Sequence, residues 1–82
     1  MSHSTKRARL SQLRPGMRAQ VLSVLSDEPE RVDRLAALGV TPGASVDVLQ
    51  TFPGIIFRCD QTELAVEPAV AGSILVELAD EA

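Results

Sequence analysis

The stretch Arg34–Leu49, RLAALGVTPGASVDVL, changes rhythm in its middle. Up to Leu38 the apolar residues fall at helical spacing. After Gly43 they alternate, with Val46 and Val48 between polar neighbours, as on a half-buried strand. Between the two rhythms stand Gly39, Pro42 and Gly43. Gly39 is placed as the left-handed residue that follows a helix. Val40 is then the hydrophobic residue beyond it, set to meet Leu35 across a Schellman-type cap. Pro42 stops the helix from resuming. Pro42-Gly43 also suits a type II turn, because Pro presets φ and Gly accepts a positive one. The stretch is a complete helix stop followed by a strand start, with Gly39, Pro42 and Gly43 as its structural turn.

Upstream, SDEPERVDRLAALG (26–39) reads as one short helix. Asp27 is the expected cap, with Glu30 three residues on in a capping-box-like position. Pro29 suits the first turn, where its missing N–H costs nothing. Val32, Leu35, Ala36 and Leu38 form the expected buried stripe. Before the helix, MRAQVLSVL (17–25) reads as a strand with Ala19 and Val21 facing one way. Its alternation then slips, making Val24 rather than Ser23 the next inward residue, which predicts a bulge or strong coiling.

Downstream, the strand from Ser45 to Phe52 places Val46, Val48 and Gln50 on one face. IIFRC (55–59) puts Ile55, Phe57 and Cys59 together, and Asp60-Gln61 is a tight hairpin turn without the usual glycine. TELAVE (62–67) shows Leu64 and Val66 inward; PAVAG (68–72) is a single turn; SILVEL (73–78) closes with Ile74 and Val76 inward. Three Pro-Gly pairs, at 15–16, 42–43 and 53–54, each precede a strand, so one turn type is expected at all three. The sum is a mainly β domain: about five short strands with one helix inserted after the first. Short strands joined by tight turns predict a small barrel that hides its edges by curling.

The 82 residues argue for one domain. A single cysteine, Cys59, excludes an intrachain disulfide, and a single histidine, His3, leaves a zinc site short of ligands. The fold must stand on apolar packing. Phe52 and Phe57 are the only aromatics, which argues against stacking on single-stranded nucleic acid. No apolar run is long enough to span a membrane, and the start lacks an apolar leader core, so a cytoplasmic location is expected. The net charge of −3 hides an asymmetry. Lys6, Arg7, Arg9, Arg14 and Arg18 give +5 within the first 18 residues, and the rest of the chain carries −8. An acidic body repels phosphate, so nucleic acid is not expected as a partner.

These segments resemble the FeoA family, the small cytosolic proteins of bacterial ferrous-iron transport. The signatures are LRPGMRAQV (13–21), RLAALGVTPGASVDVL, TELAV (62–66) and AGSILVEL (71–78). The Leu-Gly-x-x-Pro-Gly element at Leu38–Gly43 is the most specific of them. The resemblance implies an SH3-like barrel, a domain that also closes the C-terminus of iron-dependent repressors. It further implies a non-enzymatic accessory protein that binds the cytoplasmic part of an FeoB-type transporter. The alternative is a detached regulatory module of such a repressor. Two positions depart from the family pattern: Asp60-Gln61 replaces a glycine turn, and Glu67 stands where a basic residue is common.

Residues 1–9 are expected as a basic tail, 10–78 as the FeoA-like domain and 79–82 as an acidic end. No catalytic constellation, metal site or cofactor site is expected. Cys59 alternates with Ile55 and Phe57 and reads as a buried structural thiol. His3 has no companion ligand. Asp27, Glu28 and Glu30 are accounted for by the dipole of the helix they precede. The expected partner surface combines Arg31 and Arg34 on the helix, Val40 and Thr41 at the corner, and the basic segment from Lys6. Ile56 points away from Phe57 and is either an exposed contact residue or covered by the N-terminal segment. The sequence leaves the oligomeric state open.

Overall fold

In the computed structural model, which describes residues 6–78, the corner forms as the sequence predicts. Helix α1 (Pro29–Ala37) ends with Leu38 as its last half-helical residue and Gly39 at φ +97°. The Val40 N–H donates to the Leu35 carbonyl at 2.9 Å, and the Gly39 N–H to Ala36 at 3.0 Å. Those are the two bonds of a Schellman cap. The Ala44 N–H then closes the Pro42-Gly43 turn on the Thr41 carbonyl at 3.0 Å, with Gly43 at φ +93°.

Six strands surround this corner: β1 (Lys6–Arg9), β2 (Arg18–Val24), β3 (Ser45–Gln50), β4 (Ile55–Cys59), β5 (Thr62–Val66) and β6 (Ile74–Leu78). They form one antiparallel sheet in the order β1-β6-β2-β3-β4-β5. The inward residues Val21, Val46, Val48, Phe57, Ile74 and Val76 are each at most 1% exposed, so the sheet wraps a single core in an SH3-like fold. The expected slip in β2 is a register shift between Val21 and Ser23 against β6. A second shift lies between Val48 and Gln50 against β4. Both bend the sheet.

Among the described residues no ladder joins β1 to β5. Two small helical pieces, a 3-10 turn that follows β1 (Leu10–Gln12) and the single-turn helix α2 that follows β5 (Pro68–Ala71), lie against each other. The Arg9 guanidinium donates to the Gly72 carbonyl at 2.8 Å and ties β1 to the end of α2. Leu10 and Ala71 are fully buried beneath this junction.

Four expectations are corrected. Lys6–Arg9 is not a tail but a sixth strand, paired from Lys6↔Leu78 to Arg9↔Leu75. Asp27 does not cap α1: Glu28 holds the cap position in extended geometry, and its N–H donates to the Ser26 hydroxyl at 3.1 Å. Of the predicted stripe only Leu35 is fully buried, while Val32 is half-buried and Ala36 and Leu38 are exposed. A helix this short meets the barrel along a line rather than a face. The third Pro-Gly pair differs from the other two: Phe52–Pro53 is cis and Gly54 lacks a left-handed φ. Residues 1–5, with His3, and the acidic end 79–82 lie outside the described residues.

Candidate docking surface

The residues expected to meet a partner are only partly brought together. Arg34 and Thr41 are exposed. Arg31 is half-buried, with its guanidinium 3.8 Å from the Glu28 carboxylate one helical turn earlier. A surface pair at that distance contributes little. Val40 is 1% exposed, so its side chain belongs to the core and not to a contact surface. The Schellman cap requires this, because the residue after the left-handed glycine folds back onto the helix. Lys6 is exposed on β1. In the sheet β1 is separated from β2, the strand leading into α1, by β6.

The corner is anchored from below by Cys59. Its buried thiol donates to the Gly39 carbonyl at 3.4 Å. Burial raises the thiol's pKa, and the adjacent Asp60 carboxylate raises it further. A neutral thiol tucked under a carbonyl is a structural group, not a nucleophile. Asp60 turns the hairpin at φ +55°, and its N–H donates to the Ser45 carbonyl at 2.8 Å.

The outer face of the sheet alternates in charge. Arg18, Asp47, Arg58 and Glu63 stand opposite one another in turn across β2, β3, β4 and β5. The Arg18 Nε to Asp47 Oδ1 distance is 2.7 Å. Cross-strand pairs of opposite sign stabilise a sheet by about 0.2–1 kcal/mol each. One end of this face is apolar instead. Leu49 is 40% exposed and Phe52 83%, and Ile56, half-buried, pairs with Gln50 and Ala65. The described part of the N-terminal segment does not cover Ile56, since β1 pairs with β6. The strand expected to run to Phe52 ends at Gln50, which leaves Phe52 outside the ladder. The signal was Pro53 beside it, which ends a ladder.

Among the described residues no group of three or more His, Cys, Asp or Glu is close enough to hold a metal ion. No helix there is long and apolar enough to cross a membrane. The FeoA domain profile matches residues 8–78. The chain belongs to the FeoA family. Solved FeoA structures agree with that assignment. A crystal structure of an iron uptake regulatory protein, FeoA, is 29% identical with a TM-score of 0.79, over 89% of this chain and all of that one. The solution structure of FeoA from Chlorobium tepidum is 34% identical with a TM-score of 0.78, over 87% of this chain and 70% of that one. The repressor IdeR from T. acidophilum shares the fold alone, at 19% identity and a TM-score of 0.80, over 90% of this chain and 34% of that one. No curated protein sequence matches the chain.

Proposed function

We propose that this FeoA protein is a cytoplasmic, non-enzymatic accessory of bacterial ferrous-iron uptake, acting by binding the cytoplasmic part of an FeoB-type transporter. The observation that carries this reading is the family match over residues 8–78, nearly the whole described domain. Its relative at 29% identity is an iron uptake regulatory protein. The alternative, a detached module of an iron-dependent repressor, draws on fold likeness at lower identity.

Binding of this kind comes from a surface rather than a pocket. The proposed surface is the outer face of α1 with Arg31 and Arg34, continued at the corner by Thr41. Reversing Arg31 and Arg34 together to Glu is expected to weaken binding to the transporter's cytoplasmic domain. Both side chains reach solvent, so the melt should stay within about 1 kcal/mol of the parent. The loss should shrink at high salt, since exposed charges are screened beyond roughly 8–10 Å. Binding measured for both forms at two salt concentrations checks this. Undiminished binding by the double variant would move the contact to the sheet face carrying Ile56 and Arg58. Failure of the parent protein to bind at all would sink the transporter reading.

A further inference from the structure

We infer that the two free edges of the sheet pair with each other between copies of this chain, head to tail. The sheet ends in β1 on one side and β5 on the other, and among the described residues each is paired on one side only. An edge strand offers a row of N–H and C=O groups to any strand that fits. These two edges carry opposite charge. β1 presents Lys6, Arg7 and Arg9, all exposed and with no acid among them. β5 and its two flanks present Asp60, Glu63 and Glu67, all exposed and with no base among them. Charge on an edge ordinarily deters association. Here it deters β1 from meeting β1 and β5 from meeting β5. It does nothing against β1 meeting β5.

The backbone favours one antiparallel register. The two-residue turn at Asp60-Gln61 makes Cys59 and Thr62 a hydrogen-bonded pair, so Glu63 and Ala65 turn their N–H and C=O groups away from β4. On β1 the Arg9 N–H donates to Gln12 Oε1 at 2.8 Å instead of to β6. Arg7, two residues away, therefore also faces the open side. Setting Arg7 opposite Ala65 of a second copy brings the outward-facing groups of those two residues together, while the Arg9 N–H keeps its Gln12 partner. Arg9 then stands opposite Glu63, and Arg7 lies diagonally between Glu63 and Glu67, within reach of both. On the inner side Ala8 meets Leu64 and Lys6 meets Val66. Every charge on the outer side of this junction finds its opposite. The contact is heterologous, so its products are open chains or rings rather than two-fold dimers.

The test is sedimentation of the full chain over a range of concentration up to millimolar, at low and at high salt. Two charge-reversed forms are compared with the parent: Arg7→Glu with Arg9→Glu, and Glu63→Lys with Glu67→Lys. The parent is expected to associate with rising concentration and to dissociate in high salt. Each reversed form alone should remain monomeric at all concentrations. An equimolar mixture of the two should associate again, because each supplies the edge the other has lost. Arg9 also ties β1 to α2, so Ala65→Pro serves as a second probe. It removes an N–H that faces away from β4, and should abolish association with the melt retained. A parent that stays monomeric up to millimolar concentration at low salt would overturn the inference. So would association that survives both reversals, or a mixture that fails to restore it.

Discussion

Gly39 carries the corner by its conformation alone. A Cβ built on it would meet nothing within 4 Å, so a larger residue is limited by φ and not by space. Gly39→Val is expected to cost about 1–3 kcal/mol, the range for a strained left-handed residue. In a domain of this size that lowers the melting temperature by roughly 4–8 °C per kcal/mol. Asn, which tolerates this region, should cost less. An unchanged midpoint for the Val form would mean the helix does not end through a left-handed residue. Cys59, beneath the same corner, gives a pH signature. Burial, with the neighbouring Asp60 carboxylate adding to it, holds its pKa in the fold above that of the same thiol in the unfolded chain. Below the unfolded value the thiol is neutral in both states and its contribution to stability is whole. As pH rises through that value the unfolded chain ionises first, and stability is lost until the folded thiol ionises too. The melting temperature of the parent should therefore fall more steeply between about pH 8 and about pH 10 than that of Cys59→Ala. Parallel slopes would place the thiol in solvent.

Among the elements, the least expected is the one at the start. Leu10 is fully buried at the junction of the 3-10 turn with α2, although it follows a run of basic residues. Leu10→Ala is expected to cost about 2–5 kcal/mol, as core truncations do. The exposed Lys6→Ala should leave the melt within about 0.5 kcal/mol. Thermal melts of the two variants decide whether the N-terminal segment is part of the core. This segment shows why some elements were legible and others were not. The strands β2 to β6 announce themselves through inward pairs such as Val46 with Val48 and Ile74 with Val76. The helix stop was legible because Gly39, Pro42 and Gly43 each restrict the backbone in one direction. β1 has a single inward residue, Ala8, so no period can be read from it. Its pairing is dictated by β6, at the other end of the chain. Residue type does not single out the cap of α1, because Ser26, Asp27 and Glu28 all offer an oxygen there and geometry decides among them. Of the proposed surface, the exposure of Arg34 follows from helix phase, and that of Thr41 from its polar side chain in the turn after Gly39. The burial of Val40 followed from the cap that the same reading had already placed there.

At the scale of the whole molecule, β6 lies between β1 and β2 in the sheet but follows every other strand in the chain. Four consecutive strands, β2 to β5, pair with their nearest neighbours and can assemble locally as a meander. The first strand has no partner until residues 74–78 exist. Synthesis therefore delivers this interior strand after the other five. Until then Val21 lacks its cross-strand partner Val76, and the core lacks Ile74 and Val76. Pairing of this kind joins residues far apart in sequence, which slows folding relative to a sheet built only of hairpins. This domain cannot complete its sheet before residues 74–78 have been made. A chain cut before Ile74 would lose an interior strand and leave β1 without its partner, which is more than a frayed end.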